Sequence, residues 1–139
     1  MSPSTVFAIV QVAPLPFWLA LLFPSWRFAR WVAFVPLFVL AGCLTYAWAL
    51  VQAPPGGSTF ADVLRFFSSE WGAVTVWLHV VVVDYLAGVF IARDARRLGV
   101  SAWLVAPVLV VTLFFAPLGV AAWLLLRGVW KRQWRLDVG

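Results

Sequence analysis

The stretch WLHVVVVDYLAGVFIARDARR, from Trp77 to Arg97, decides how this chain folds. Its first two thirds are strongly apolar, and they belong to an apolar segment, residues 71–92, that has the roughly 20 residues a helix needs to cross a lipid bilayer. Two ionisable side chains interrupt it, Asp84 near the centre and His79 five residues earlier. A charged carboxylate at the bilayer centre costs about 2.5 kcal/mol or more, so such residues usually face a bundle interior or a cavity.

The composition of the whole chain favours a membrane protein. Of its 139 residues, 65% are hydrophobic and 11% are charged, and the mean hydropathy is +1.00. A soluble domain needs more polar groups to cover its surface, so lipid is the favoured solvent. The net charge of +5 is modest and lies at segment ends, which indicates membrane topology rather than nucleic-acid binding. The single cysteine, Cys43, excludes an internal disulfide.

Four apolar segments, each of roughly 20 residues, predict an all-α, integral-membrane bundle of four transmembrane helices. The predicted helices cover residues 5–23, 30–51, 71–92 and 102–126, in a single domain of residues 1–139. Prolines predict kinks in the first and fourth helices, because an interior proline removes one helical hydrogen bond. These prolines are Pro14, Pro16, Pro107 and Pro117.

The connection after the second segment predicts a short amphipathic helix. Residues 54–57 are two prolines and two glycines, which end a helix, and Ser58 or Thr59 then caps a new one. The helix would lie in the membrane interface, and the alternative is an ordered loop with no membrane role. Its predicted apolar face consists of Phe60, Val63, Leu64 and Phe67.

The basic residues do not decide the orientation of four spanning helices. With four spans, five basic residues lie on each side of the membrane, so the positive-inside rule gives no answer. One side would carry Arg65, Arg127, Lys131, Arg132 and Arg135, and the other Arg27, Arg30, Arg93, Arg96 and Arg97.

The helical period places Asp84 at the head of a face of mostly small residues. At about 100° per residue, this face also carries Trp77, Val81, Gly88, Ile91 and Ala95. Small residues allow another backbone or a flat ligand to approach closely. His79 lies about 140° around the helix, so direct contact within the helix is not expected. A purely structural alternative is a neutral Asp84 hydrogen-bonded to another helix.

Asp94 falls at the membrane edge, among several arginines. Arg97 lies three residues later, which favours a surface ion pair. The arginines then act as interfacial anchors, or they hold a lipid headgroup or the polar end of a ligand. A metal site is not predicted, because one His, one Cys and the acids on different faces fall short of a usual ligand set.

Three stretches together resemble the abscisic-acid-deficiency-four-like family. The third segment resembles the family's Trp–x–His, Asp, Gly and Asp–Ala–Arg pattern at Trp77, His79, Asp84, Gly88, Asp94, Ala95 and Arg96. LPFWLALLFPSWRFAR resembles its first helix and turn at Pro16, Trp18, Pro24 and Trp26. FFAPLGVAAWLLLR resembles its closing helix at Pro117 and Gly119. The chain departs from the pattern at Ala116, usually Gly, and at Tyr85, commonly Leu.

The resemblance implies a membrane protein that binds or acts on a carotenoid or another isoprenoid. In plants the family is tied to making neoxanthin from violaxanthin, which opens an epoxide and leaves an allene and a hydroxyl. The implied activity is a xanthophyll epoxide isomerase that needs no cofactor, with Asp84 as the acid and His79 as the base. The residues implied to bind substrate are Trp77, Gly88, Asp94, Arg96, Trp18 and Pro117.

Two other classes of function stay open. One buried acid, four helices and a balanced charge also suit a small proton-coupled transporter, and a structural or assembly protein would use Asp84 only to hold helices together. The expected partners are the lipid bilayer and an apolar polyene, with no nucleic acid, and a homo-oligomer is an open alternative. The excess of Arg over Lys and the abundant Ala favour a bacterial cytoplasmic membrane.

Overall fold

The computed structural model describes residues 1–23, 34–53 and 56–132, and the regular structure of these residues is entirely α-helical. The predicted all-α class is therefore confirmed. Within the described residues the chain forms seven helices, which are α1 Pro3–Val12, α2 Leu15–Leu22, α3 Val35–Gln52, α4 Phe60–Ser68, α5 Glu70–Arg97, α6 Ala102–Phe114 and α7 Ala116–Lys131.

Three helical segments are long and apolar enough to cross a membrane. They are Pro3–Leu22, Val35–Gln52 and Glu70–Arg97, with mean hydropathies of 1.9, 1.7 and 2.0. They correspond to the first three predicted segments, although predicted residues 30–33 lie outside the described residues. The protein is therefore a membrane protein, as the composition indicates.

The fourth predicted helix is not one continuous helix, and the four-helix bundle is not confirmed. Its residues form α6 and α7, which are separated at Phe115, where φ is −147° and ψ is 73°. Those angles are extended rather than helical, so the helical hydrogen-bond pattern stops there. The two helices pack against each other.

The predicted proline kinks are not confirmed either. The first segment is interrupted between α1, which ends at Val12, and α2, which begins at Leu15. Pro14 lies in this interruption. Pro107 lies inside α6, whereas Pro117 lies in the first turn of α7, where a missing N–H leaves no helical bond unmade.

The short helix α4 confirms the prediction for the second connection. The Thr59 hydroxyl accepts a hydrogen bond from the Asp62 N–H at 3.2 Å, and the Asp62 carboxylate accepts one from the Thr59 N–H at 3.3 Å. This capping box fixes the start of the helix. The predicted apolar face, Phe60, Val63, Leu64 and Phe67, is exposed. Its position in the membrane interface stays a prediction.

The long helix α5 has a defined end. Gly99 has φ of +64°, a left-handed conformation that glycine adopts without steric cost. Its N–H donates to the Arg96 carbonyl at 3.1 Å, and the Val100 N–H donates to the Ala95 carbonyl at 2.9 Å. These two bonds form a Schellman motif, which satisfies the last carbonyls of the helix. α5 therefore stays helical through its last turn, which contains Arg96 and Arg97.

The chain divides into two compact units. Unit 1 comprises residues 1–17 and 30–83, and unit 2 comprises residues 18–29 and 84–139. The continuous helix α5 belongs to both. The single domain that the sequence predicts stays a prediction.

Unit 1 is built around an apolar core where α1, α3 and α5 meet. Gly42 of α3 lies so close to α5 that a Cβ atom there would lie 2.6 Å from Val82 Cγ2. This close approach of two helices depends on the absence of a side chain. The buried core residues are Val6, Val10, Ala49, Val74 and Leu78.

Unit 2 is built around α2, the second half of α5, α6 and α7. Trp18 packs edge-on against Tyr85, with ring centroids 5.7 Å apart and an interplanar angle of 80°. An edge-on arrangement is one of the two that aromatic quadrupoles favour. The largest fully buried side chains of this unit are Trp123, Tyr85, Ile91, Leu109 and Thr112.

Candidate functional site

The Trp–x–His pair of α5 lies in unit 1. His79 is exposed, and its ring centroid lies 5.9 Å from that of Tyr46. Trp77 packs against the core of unit 1, and its ring centroid lies 5.7 Å from that of Phe7. Its indole N–H is buried and has no hydrogen-bond partner among the described residues. Thr75, which lies four residues before His79 on α5, donates its hydroxyl hydrogen to the Trp71 carbonyl at 2.8 Å.

Asp84 and the small-residue face below it lie in unit 2. Asp84 is half-buried. Gly88 is buried under Trp18, because a Cβ atom at Gly88 would lie 2.7 Å from Trp18 Cη2 and 3.3 Å from Leu21 Cδ1. The close approach predicted for this face is thus made at Gly88 by an indole ring of the same unit. Trp18 and Gly88, both predicted to bind substrate, touch each other.

Asp94 lies in a largely buried polar cluster. Its Oδ2 atom accepts hydrogen bonds from the Trp123 indole N–H at 2.9 Å and from Arg127 Nη1 at 3.1 Å. The side chain of Arg127 is 3% exposed and that of Asp94 is 12% exposed. The expectation of a surface pair formed with Arg97 is therefore wrong about the burial of this carboxylate, which α7 covers.

The other two predicted residues lie at the surface of unit 2. Arg96 is exposed, and its Nε–H donates to the Ala92 carbonyl of the preceding turn at 3.1 Å. Pro117 is exposed at the start of α7. The hydrogen bond of Arg96 and the exposure of Pro117 do not identify a ligand, so the substrate-binding roles of both residues stay predictions.

Unit 1 contains an apolar cavity of about 550 Å³ between α1, α3 and α5. Among the described residues its lining includes neither His79 nor Asp84. The hydroxyl of Thr45, a polar group in the wall, donates to the Ala41 carbonyl at 2.8 Å. The wall consists of Met1, Val6, Ile9, Val10, Ala13, Pro14, Phe38, Ala41, Gly42, Leu44, Thr45, Trp48, Leu78, Val81 and Val82.

A family model described as ABA DEFICIENT 4-like matches residues 5–123, which is most of the chain. The chain belongs to the ABA4-like family. The matched range contains every residue singled out in the three motifs, from Pro16 to Gly119. No curated protein and no solved structure shows a significant match to the chain.

For this ABA4-like protein, the structure brings together some of the predicted site residues and separates others. Trp18 meets Gly88, and the cavity of unit 1 adjoins the core that Trp77 covers. His79 belongs to unit 1 and Asp84 to unit 2. A shared site for these two groups stays a prediction.

Two residues of the buried polar cluster were not singled out from the sequence. Trp123 and Arg127 are four residues apart on α7, so they share a helix face. A buried arginine needs an acidic partner. The sequence signal for this cluster is a tryptophan and an arginine spaced i, i+4 at the end of an apolar segment. The sequence separation, 29 positions from Asp94 to Trp123 and 33 to Arg127, is too large for local spacing rules to predict the pairing.

Proposed function

We propose that this protein binds a carotenoid or a related long isoprenoid within the membrane and isomerises it without a cofactor. The observation that carries the binding part of the proposal is the apolar cavity of unit 1, in a member of the ABA4-like family. The isomerisation is proposed from the family resemblance, since His79 and Asp84 are not among the residues that line this cavity. Its volume of about 550 Å³ lies within the range typical of small-molecule sites.

The dimensions of the cavity suit one chain-like molecule. Its lining runs along α3 from Phe38 to Trp48, which is about 15 Å at 1.5 Å per residue. A volume of about 550 Å³ over that length gives a mean cross-section of roughly 40 Å². A flat polyene is about 4 Å thick, since packed carbon atoms approach to 3.5–4.0 Å. The remaining width of roughly 10 Å admits one methyl-branched chain.

The wall of the cavity supports an apolar ligand that arrives from the bilayer. One side of the cavity is formed by α5, where the lining residues Leu78 and Val82 are buried. On the other two sides, Ile9 of α1 and Leu44 of α3 line the cavity and are 51% and 62% exposed. The exposure of these two apolar lining residues supports entry of a membrane-dissolved isoprenoid from the lipid side, between α1 and α3. With the Thr45 hydroxyl bonded to its own helix, the wall favours hydrocarbon over a charged ligand.

The proposed chemistry uses one acid and one base. Asp84 gives a proton to the epoxide oxygen as the ring C–O bond breaks, and His79 takes a vinylic proton from the polyene as the allene forms. One proton is gained and one is lost, so the product is an isomer of the substrate and no redox partner is needed. The roles of Asp84 and His79 rest on the family resemblance and on this chemistry.

Ligand binding is tested with two matched tryptophan substitutions on α3. Ala41 and Ala47 are both exposed, and only Ala41 lines the cavity. Protein produced in a host that makes violaxanthin, or reconstituted with it, should carry a bound pigment spectrum. Ala41→Trp should reduce the bound pigment at least tenfold, while Ala47→Trp should leave it unchanged. Equal pigment in both variants would place the ligand elsewhere.

Catalysis is tested by supplying violaxanthin to membranes that contain the protein and analysing the pigments formed. Asp84→Asn and His79→Gln should each abolish turnover while the protein still accumulates. Bound pigment with no product in the wild type would leave a carotenoid-binding accessory protein. Turnover that survives both substitutions would remove the two residues from the mechanism.

The membrane of residence and the assembly state are part of the proposal. We assign the protein to a bacterial cytoplasmic membrane on composition, and fractionation of a tagged protein in its native host tests this. Cross-linking in that membrane distinguishes a monomer from a homo-oligomer.

A further inference from the structure

We propose that α6 and α7 form a re-entrant hairpin, so that one face of the protein carries nearly all of its basic residues and binds a leaflet of anionic phospholipid. The proposal is independent of the carotenoid site. It follows from the lengths of α6 and α7, the reversal between them and the Asp94–Arg127 contact.

Neither helix is long enough to cross the hydrocarbon core. α6 has 13 residues and α7 has 16, which give lengths of about 20 and 24 Å at 1.5 Å per residue. The core is about 30 Å thick. Both helices are apolar along most of their length. Each therefore enters the bilayer without reaching the other side.

The chain reverses direction at Phe115. A Cβ atom on Gly119 would lie 2.7 Å from the Cα of Thr112, seven residues earlier. In a continuous helix, residues seven positions apart are separated by about 10 Å along the axis. The two backbones are instead in contact, so α7 folds back on α6 rather than continuing it.

The Asp94–Arg127 contact shows where the hairpin returns. α6 begins at Ala102, directly after the turn that ends α5. If α7 continued the path of α6, Arg127 would lie about 37 Å from Ala102 along the axis, out of reach of α5. Arg127 Nη1 instead lies 3.1 Å from Asp94 Oδ2, in the last turn of α5. The hairpin therefore starts and ends at the same end of α5.

The tip of the hairpin is suited to hydrocarbon. Phe114, Phe115 and Leu118 are 68%, 62% and 61% exposed. At the break itself, the Phe115 N–H donates to the Val111 carbonyl at 2.7 Å, and the Phe115 carbonyl accepts from the Gly119 N–H at 3.0 Å. Both polar backbone groups of the non-helical residue are satisfied, as lipid requires.

The hairpin changes the distribution of charge across the membrane. The contact of Arg127 with Asp94 places the last part of α7 at the Arg97 end of α5, not at the Glu70 end. With three spanning segments, nine of the ten Lys and Arg residues fall on the Arg97 side, and Arg65 alone falls on the other. Three of the counted residues lie outside the described residues. The count assigns Arg27 and Arg30 by the alternation of spans, and Arg135 because it follows α7 in the sequence. The positive-inside rule then places the Arg97 side in the cytoplasm.

The chemistry of this face fits anionic headgroups. Arg93 and Arg96 are exposed in the last two turns of α5, and their guanidinium groups suit bidentate contact with phosphate. The cytoplasmic leaflet is the anionic one, and it attracts basic residues at the membrane edge. We therefore assign this face to anionic phospholipid.

Single-cysteine labelling tests the hairpin. In a Cys43→Ser background, one variant carries Ser58→Cys and another a cysteine appended after Gly139. A membrane-impermeant maleimide applied to intact cells should label Ser58→Cys and should reach the appended cysteine only after the membrane is permeabilised. Labelling of both from one side would mean four spanning helices and would overturn the proposal.

Lipid selection tests the anionic face. Wild-type protein is purified from vesicles of equal phosphatidylcholine and phosphatidylglycerol, and the retained lipid is analysed. Arg93→Gln combined with Arg96→Gln should lower the retained phosphatidylglycerol at least twofold, while Arg65→Gln should leave it unchanged. Equal retention in all three proteins would overturn the lipid assignment. No pigment enters either experiment, so a failure here and a failure of the carotenoid site are distinguishable.

Discussion

The buried cluster of Asp94, Trp123 and Arg127 makes a quantitative prediction about stability. Replacing Asp94 with Asn keeps the side-chain shape but removes the negative charge that lies 3.1 Å from the Arg127 guanidinium, a side chain that is 3% exposed. Removing one partner of a buried ion pair typically costs about 3–5 kcal/mol. We therefore expect Asp94→Asn to lower the free energy of unfolding by about 3 kcal/mol or more.

The partner substitution should cost less. Arg127→Met leaves the Asp94 carboxylate, which keeps the Trp123 N–H as a donor at 2.9 Å and is 12% exposed. A buried acceptor that loses one of its donors costs about 1–3 kcal/mol. The double variant Asp94→Asn/Arg127→Met buries no charge in this cluster, so it should be more stable than Asp94→Asn alone. The coupling energy of the double-mutant cycle should reach about 2 kcal/mol.

The assay is unfolding of the purified protein in mixed micelles of mild detergent and dodecyl sulfate, followed by tryptophan fluorescence. Arg65→Met is the matched control, because Arg65 also faces an aspartate, at 3.6 Å from Asp62, but its side chain is 80% exposed. Exposed pairs contribute little, so this change should stay within about 0.5 kcal/mol. Additive single effects, or a loss below about 1 kcal/mol for Asp94→Asn, would refute the assignment of a buried coupled pair.

Three further changes test the packing and capping described above. Gly88→Ala should destabilise the protein by about 1–3 kcal/mol, because its Cβ would lie 2.7 Å from Trp18, and Trp18→Leu should relieve part of that loss; additivity of the two would contradict the contact. Gly119→Ala should prevent accumulation of the folded protein, because its Cβ would meet the Thr112 backbone at 2.7 Å; normal accumulation on an immunoblot would contradict the tight reversal. Thr59→Ala should lower the free energy of unfolding by about 1 kcal/mol through loss of the cap; an unchanged value would argue against a stable α4.

The changes at Gly119 and Thr59 each have a neighbouring control. Ala121→Val adds a larger side chain on the exposed surface of α7 and should accumulate normally. Ser58→Ala removes a hydroxyl next to the cap, from a residue that makes no capping bond in α4, and should leave the free energy of unfolding unchanged. A loss in either control would mean that the substitution acts through something other than the contact named.

The sequence predicts the elements that local chemistry determines. Helix α4 follows from a threonine cap, an aspartate three residues later and an apolar face, all within nine residues. The three spanning segments follow from hydropathy, because a run of about 20 apolar residues has few alternatives to a membrane helix. Membership of the ABA4-like family follows from the motif of α5.

The sequence does not predict what depends on distant contacts. The mean hydropathy of residues 102–126 is the same whether they form one continuous helix or two helices that fold back on each other. Hydropathy therefore does not predict the reversal at Phe115. Proline chemistry predicts a kink at Pro117, whereas Pro117 lies in the first turn of a new helix. Gly119 matches the family motif, and the structure shows that its missing side chain allows α7 to pack closely on Thr112. Asp94 was paired with the arginine three residues later because local spacing favours it, and the residues that cover it lie 29 and 33 positions away.

The same reversal invalidates one argument for a rival function. An equal number of basic residues on both sides suited a small transporter that inserts in two orientations. In the proposed hairpin the residues after α7 fall on the Arg97 side, so that equality disappears and the positive-inside rule predicts a single orientation.

The hairpin also bears on how the protein is made. A fourth span would require the segment WKRQWR to be carried across the hydrocarbon layer during synthesis. Each cation costs about 2.5 kcal/mol or more at the bilayer centre. A re-entrant hairpin lets this segment stay on the side of the membrane where the ribosome synthesises it. Three membrane crossings then suffice, and the insertion machinery never has to export a cationic tail.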